Sequence, residues 1–302
     1  MKKIQELWDA HPSGILLPAG HVTDRQDRSK STYLDVKSKA EKIEEIYKSN
    51  GLTLPDNSDL AKLIKNSKQL WKNWFANRTD ELEMKILFDV LHLDRIADVV
   101  LSLKGEPARV KYLKALVSGP FAFFNREKSY AKDMFWELEV WSKLRKKLST
   151  VNLEEPPDIV IEFKESRIGI ACKKLYSEKH VQNVLSQAVH QIEDSFEIGI
   201  VALNLDDFTP AERVLKTSNA QGMTETLLNH NAEFIQRHER HFRKYLASGR
   251  LISAIVSTAV IVDIVNTKPR FNNASQWTVW TIPGLKKKKS QNLRKFYSVV
   301  MG

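Results

Sequence analysis

A predicted pair of adjacent strands near the middle of the chain constrains the fold more than any other segment. The first strand covers residues 158–163, a short polar turn covers 164–166, and the second strand covers 167–173. Successive side chains of a strand point to opposite faces of a sheet. The second strand therefore has two distinct faces, one with Ile168, Ile170 and Cys172 and the other with Gly169, Ala171 and Lys173.

The ends of these strands carry residue types that metal-dependent phosphodiester hydrolysis needs. Carboxylates hold Mg²⁺, and a lysine orients or deprotonates the attacking water and stabilises the charge that develops. Asp158 opens the first strand, and Lys173 lies near the end of the second. The position two residues before Lys173, on the same face, should carry another acid, but it is Ala171.

The run from Pro157 and Asp158 to Ala171-Cys172-Lys173 resembles the motif of the PD-(D/E)XK nuclease superfamily, which has the restriction-endonuclease-like fold. The resemblance covers about residues 137–201. It implies that Asp158 is a metal ligand and that Lys173 is the catalytic lysine, and it places Ala171 at the usual second acidic position. It also implies Mg²⁺ as the cofactor, with Mn²⁺ as a substitute.

The helix predicted before the first strand, at about 130–148, offers a further acid. Glu137 lies beside an apolar stripe at helical spacing, where a carboxylate needs a partner or a metal. The resemblance implies that Glu137 is a metal ligand; the alternative is a boundary residue with a solvated carboxylate. Glu139 lies further round the helix, with Lys143 four residues on, and the two are expected to form an exposed pair.

The helix predicted after the second strand, at about 178–194, supplies the remaining candidate. Gln191 lies beside the apolar face of this helix. The resemblance implies that Gln191 lines the active site, whereas its spacing alone favours a surface residue. A strand at about 197–203 is expected to follow.

Ala171 leaves three interpretations open. The chain is an engineered inactive nuclease, a natural pseudo-nuclease that only binds nucleic acid, or an enzyme in which Glu162 or Glu178 replaces the missing acid. Loss of one carboxylate lowers both the ligand count and the negative charge that hold Mg²⁺. We favour the inactivated form, because the other site residues are kept.

Charge favours nucleic acid, duplex DNA in the first place, as the partner. The net charge is +10 and the isoelectric point is about 9.4. A predicted helix at about 223–248 carries a basic stripe that includes His241, and residues 284–302 contain basic but no acidic side chains. The stripe fits a solvated helix face equally well. The candidate contacts to nucleic acid are Arg237, Arg240, Lys244, Lys286, Lys287, Lys288 and Lys289.

The pattern of predicted elements divides the chain into three parts. Residues 1–125 are predicted to form an all-helical domain, with helices at about 32–50, 58–78, 80–93 and 94–104 and another after residue 107. Residues 126–283 are predicted to form an α/β (α+β) nuclease domain, a restriction-endonuclease-like mixed sheet flanked by helices. Residues 284–302 are predicted to form a basic C-terminal tail.

The remaining features narrow the class of protein. The single cysteine excludes internal disulfides and favours the cytoplasm. The chain shows no secretory signal, and its most apolar run, 251–265, is too short to span a bilayer and contains Asp263. No P-loop pattern is present, so any ATPase or targeting activity would come from a partner subunit.

These observations lead to one main expectation and two alternatives. The main expectation is Mg²⁺-dependent hydrolysis of DNA phosphodiesters in bacterial or phage defence or in DNA processing. The first alternative is a non-catalytic pseudo-nuclease that binds nucleic acid. The second is a helical interaction protein whose nuclease-like domain scaffolds a partner subunit.

Overall fold

A seven-stranded mixed sheet with helices on both faces forms the centre of the molecule. The computed structural model of the chain describes residues 8–10, 16–18, 33–75, 84–121, 125–163, 165–209, 214–265 and 271–300. The helices are α1 (Tyr33–Ser49), α2 (Asp59–Phe75), α3 (Met84–Ser102), α4 (Arg109–Leu116), α5 (Tyr130–Arg145), α6 (Val181–Glu193), α7 (Ala220–Ala247) and α8 (Lys287–Val300). The strands are β1 (Trp8–Ala10), β2 (Leu16–Pro18), β3 (Val151–Leu153), β4 (Ile159–Phe163), β5 (Ser166–Lys174), β6 (Gly199–Asn204), β7 (Leu215–Thr217), β8 (Ser253–Ile264) and β9 (Phe271–Trp280).

The sheet combines antiparallel and parallel pairs. Strands β3, β4 and β5 pair antiparallel in succession, and β6 pairs parallel with both β5 and β8. Strand β9 pairs antiparallel along one edge of β8, so β6 and β7 share the other edge at residues 253–257 and 262–264. The predicted mixed sheet flanked by helices is confirmed.

The two faces of the central hairpin bury different side chains, as the alternation predicts. Ile168, Ile170 and Cys172 belong to one apolar cluster, which also contains residues of α1 to α5 and α8. Ala171 and Val160 belong to a second apolar cluster, which lies between the other face of the sheet and helices α6 and α7. Alternation along β5 therefore divides its buried apolar residues between the two cores.

The region 1–125 is not purely helical, which corrects the prediction for this region. The short strands β1 and β2 pair antiparallel, with Asp9 opposite Leu17. The predicted helices at 80–93 and 94–104 are a single helix, α3, and Asp94 in its middle lies 2.6 Å from the ammonium of Lys39 on α1. An acidic residue therefore marks a contact between helices at this position and not a helix start.

Helix α5 connects the helical region to the sheet. Trp136 is buried, and its indole nitrogen donates a hydrogen bond to the backbone oxygen of Ala202 in β6 at 3.1 Å. Its ring also meets the ring of Trp277 edge-on, with 6.2 Å between the centroids. These contacts fix the rotation of α5, and with it the direction in which its carboxylates point.

The basic segment 284–302 contains α8, whose apolar residues pack into the main core. Leu293, Phe296 and Tyr297 are buried in the same cluster as the hairpin residues. Their spacing of three and four residues places them on one side of a helix. Among the described residues, no helix has the length and apolarity needed to cross a membrane.

Candidate functional site

The end of the hairpin holds Asp158 beside Ala171. Ile159 pairs with Ile170 in the antiparallel register, so Asp158 and Ala171 are the next residues to face each other. One carboxylate oxygen of Asp158 accepts a hydrogen bond of 2.6 Å from the backbone nitrogen of Cys172. This bond orients the carboxylate toward the end of β5, where Lys173 lies.

Lys173 and Glu137 lie near Asp158. The ammonium nitrogen of Lys173 is 4.0 Å from Asp158 Oδ2, and the lysine side chain is 23 % exposed. Glu137 on α5 is buried, and its Oε1 atom has no hydrogen-bond partner among the described residues. The charges of Asp158 and Lys173 both act on Glu137, so side chains from α5, from the residue before β4 and from β5 lie near one another at one end of the sheet.

Burial and nearby negative charges make the two carboxylates weak acids. Burial raises the pKa of Glu137 to about 8, and the negative charges of Asp158 and Glu155 act in the same direction. Burial also raises the pKa of Asp158 to about 6, although Lys173 and the Cys172 amide lower it. At neutral pH Glu137 therefore holds a proton while most of Asp158 is ionised.

Ala171 contributes no ligand to this group. Its side chain is completely buried in the apolar cluster under α6. Within the described ranges, no three side chains of the types His, Cys, Asp and Glu are arranged to hold a metal ion as they stand. Glu137 and Asp158 supply hard oxygen ligands of the kind that Mg²⁺ prefers. They are only two side-chain ligands, and most Mg²⁺ sites in nucleases of the resembled type use more.

Gln191 lies on α6, on the face of the sheet opposite to α5. Its side-chain oxygen is buried and has no hydrogen-bond partner in the part of the chain that the structure describes. None of the hydrogen bonds between described residues joins Gln191 to Asp158 or Lys173. Its role at the site therefore stays a prediction.

Glu139 is not exposed, which corrects the prediction for this residue. Its carboxylate accepts hydrogen bonds from Arg95 Nε at 2.7 Å and from Arg95 Nη2 at 2.5 Å, and the residue is 4 % exposed. Lys143 lies 3.3 Å away, so the predicted pair exists but is buried. The third nitrogen of Arg95, Nη1, donates to Asp206 Oδ2 at 2.9 Å. Glu139 thus belongs to a buried ion network that joins α3 to the sheet.

Charge explains why this buried network keeps its ionised form. Burial lowers the pKa of Arg95, but Asp206 and Glu139 together raise it above the ordinary value. Burial would raise the pKa of Asp206, but Arg95 and Lys174 lower it. The charged groups of this network pair with one another, so the network stabilises the fold. Glu137, two residues before Glu139, differs because its Oε1 atom has no partner among the described residues.

The two acids considered as replacements for position 171 lie elsewhere. Glu162 is 3.4 Å from Arg167 at the other end of the hairpin. Glu178 lies 2.7 Å from Arg237 and 3.3 Å from His238, both on α7. Each acid has an arginine partner and neither is among the charges that act on Asp158, so the third interpretation finds no support from either.

The predicted basic stripe on α7 is exposed at Arg237, Arg240 and Lys244. Arg237 already pairs with Glu178, which leaves Arg240 and Lys244 as the better candidates for phosphate contacts. In the basic segment, Lys286, Lys287 and Lys288 are exposed, and Lys288 lies 3.1 Å from Glu197. Lys289 donates a hydrogen bond to the backbone oxygen of Gly249.

Two charged residues that the motif did not indicate also reach the site. Glu155 lies in the loop before β4, and its charge acts on both Glu137 and Asp158. Lys111 on α4 is 2.7 Å from Glu155 and acts on Glu137. Glu155 stands three residues before Asp158, so a search for acids on both sides of the motif would have found it; Lys111 had no signal in the sequence.

The chain matches no protein-family model, and searches of curated proteins and of solved structures likewise gave no match. What the site does is therefore inferred from its own residues.

Proposed function

We propose that the chain carries a PD-(D/E)XK-type nuclease site, on a restriction-endonuclease-like domain, in a form that lacks one metal ligand. With a complete ligand set, the reaction is Mg²⁺-dependent hydrolysis of DNA phosphodiesters. The observation that carries this proposal is the meeting of Glu137, Asp158 and Lys173 at one end of the sheet, with Ala171 opposite Asp158.

Each of the three side chains has a role that its surroundings support. Glu137 and Asp158 would hold Mg²⁺, or Mn²⁺ in its place, because both are buried carboxylates at one point. The bound ion supplies charge neutralisation at the phosphate and a water of lowered pKa. The ammonium nitrogen of Lys173 lies beside Asp158, where it can stabilise the charge that develops on a phosphate oxygen. Gln191 is proposed to orient groups at the site.

Position 171 decides whether this site works. A glutamate there would point from β5 to the same face as Lys173 and would stand opposite Asp158. Alanine leaves that position apolar and completely buried. The chain is therefore proposed to be an inactivated form of a nuclease that acts in bacterial or phage defence or in DNA processing.

Restoring the acid tests the proposal. Ala171→Glu should raise Mg²⁺-dependent nicking of plasmid DNA by about 100-fold or more, the scale that one electrostatic contact to the transition state has in enzymes. Ala171→Gln is the matched control, because it has the same shape and no charge. Adding Lys173→Met to Ala171→Glu should return cleavage to background. Thermal unfolding of each variant tests whether the larger side chain is accommodated at this buried position.

Two results would contradict the proposal. One is cleavage at full rate by the chain with Ala171, with no gain from glutamate. The other is a folded Ala171→Glu protein that binds Mn²⁺ and cuts neither plasmid nor single-stranded DNA.

A second candidate function is nucleic-acid binding without hydrolysis, or the scaffolding of a partner subunit that supplies ATPase or targeting activity. The absence of a three-ligand group within the described ranges favours it. The exposed cations Arg240 and Lys244 would contact phosphates in this case. Binding of duplex DNA by the chain with Ala171, in the absence of any metal, supports this candidate as well as the first.

A further inference from the structure

A polar cavity lies between helices α1, α3 and α5 and strands β8 and β9. Its volume is about 130 Å³. The charged residues that line it are Lys39, Asp94, Arg95, Asp98, Glu139, Lys143 and Lys146. The proposed nuclease residues Glu137, Asp158 and Lys173 are not part of this lining. The cavity is therefore a place for a ligand that the proposed nuclease reaction does not use.

The size and the walls of the cavity define the kind of ligand. A cavity of about 150 Å³ can hold one benzene molecule, so this cavity has room for about six heavy atoms. Its uncharged walls include the buried Ser142 and Ser275 and the side chain of Asn273. The hydroxyl oxygen of Ser275 accepts a hydrogen bond of 3.1 Å from the ammonium of Lys143. Such walls suit a small polar molecule.

One group of charges on the cavity has an excess of negative charge. The ammonium of Lys39 on α1 lies 2.6 Å from the carboxylate of Asp94 and 2.8 Å from that of Asp98, both on α3. Two carboxylates thus share one ammonium group. The Asp98 side chain is 50 % exposed, and water weakens ion pairs at such a position. Asp98 can therefore also contact the positive group of a ligand.

The other charges at the cavity have an excess of positive charge. Arg95 donates hydrogen bonds to Glu139 at 2.7 Å and to Asp206 at 2.9 Å. Lys143 lies 3.3 Å from Glu139, so these two cations and two acids balance. Lys146, directly after α5, adds an exposed ammonium group that forms none of the ion pairs between described residues. One positive charge is therefore left over on this side.

We infer that the cavity binds a small zwitterion, namely a free α-amino acid with a short side chain such as glycine, alanine or serine. The ammonium group of the ligand contacts Asp94 and Asp98, and its carboxylate contacts Lys143 and Lys146. A simple anion would lie against the carboxylates of α3, and a simple cation against the lysines of α5. One molecule that carries both charges satisfies both groups, and this inference goes beyond the proposed nuclease function and does not depend on it.

Calorimetric titration of the full chain tests the inference. At least one of glycine, L-alanine and L-serine should bind with a Kd of about 1 mM or lower. Acetate, phosphate and methylamine each carry charge of one sign only and should bind at least about tenfold more weakly, because they leave one of the two charge groups without a partner.

Variants of the lining separate this cavity from other binding sites. Lys146→Gln and Asp98→Asn should each weaken binding of the amino acid by about three- to fivefold, the scale of an exposed ion pair. Lys147→Gln is the matched control, because Lys147 is exposed and does not line the cavity, and it should bind as the parent does. Ala259 lines the cavity, so Ala259→Leu should fill it and abolish binding.

The thermal midpoint gives a second readout. Excess amino acid should raise it in the parent and in Lys147→Gln but not in Ala259→Leu. The inference is overturned if none of the three amino acids binds with a Kd below about 10 mM, which would make the cavity a site for water alone. It is also overturned if acetate or phosphate binds as tightly as the best amino acid, or if Lys146→Gln and Asp98→Asn both bind as the parent does.

Discussion

Replacement of Glu137 by glutamine should stabilise the folded protein in alkaline solution and have little effect near pH 4. The ordinary pKa of this carboxyl is 4.5, and burial, followed by the charges of Asp158 and Glu155, raises it to about 8 in the folded protein. The folded state therefore binds a proton that the unfolded state releases between these two pH values. In this window the free energy of unfolding falls by about 1.4 kcal/mol per pH unit.

The buried Glu137 carboxyl lowers the free energy of unfolding by roughly 3–5 kcal/mol at pH 8–9. Glutamine has no charge to bury, so Glu137→Gln should recover most of this free energy there and almost none at pH 4. Asp158 contributes in the same sense, since its pKa is raised from 3.8 to about 6. Some fall in stability between pH 4 and 6 should therefore remain in the variant.

Glu139→Gln is the matched comparison on the same helix and should have the opposite effect. Glu139 is buried in a bidentate pair with Arg95, and loss of one partner of a buried pair costs about 3–5 kcal/mol. Urea unfolding of both variants at pH 4, 7 and 9 measures the two effects. A gain from Glu137→Gln that does not change with pH would show that folding does not raise the pKa of Glu137. A loss of stability at pH 9 would show that Glu137 is ionised and partnered in the folded protein.

Two further predictions concern α7. Asn231 is completely buried, donates to backbone oxygens of β8 and β9 and accepts from the hydroxyl of Thr258 at 2.6 Å. Asn231→Ala should lower the free energy of unfolding in urea by about 2–4 kcal/mol. The control Asn229→Ala, at an exposed position of the same helix, should lower it by less than about 0.5 kcal/mol. Replacing Arg240 and Lys244 together by glutamine should lower the slope of log affinity for duplex DNA against log salt by about 2, measured by fluorescence anisotropy. An unchanged slope would point to the lysines of the C-terminal segment instead.

Local patterns of the hairpin could be predicted because they depend on neighbouring residues alone. Alternation along one strand separates Ala171 from Ile170 and Cys172, and the two cores of the structure divide these residues in the same way. A short turn forces the two strands to pair, which brings Asp158 beside β5. The proximity of Asp158 and Lys173 follows from these two facts.

Contacts between distant segments could not be predicted from such patterns. Glu139 was expected in solvent because its partner, Arg95, lies 44 residues earlier in the chain. Asp94 was expected to start a helix, but it lies in the middle of α3, where it pairs with Lys39 on α1, 55 residues earlier in the chain. A charged residue in a helix has the same neighbours in the sequence whether water solvates it or a distant residue pairs with it.

The basic segment shows how one property of a sequence can hide another. Its lysines draw attention to charge, whereas the spacing of Leu293, Phe296 and Tyr297 is that of an amphipathic helix. The structure buries these three residues in the main core. A search for apolar spacing in this segment would have predicted the helix.

The packing of α8 has a consequence for how the chain is made. The cluster that contains Val36 and Ile43 also contains Phe296 and Tyr297, so one core joins segments from both ends of the described chain. During synthesis on a ribosome this core cannot be completed until the residues of α8 have emerged. Until then the apolar face that α8 covers is exposed to other chains, which is the condition under which nascent proteins aggregate or engage chaperones.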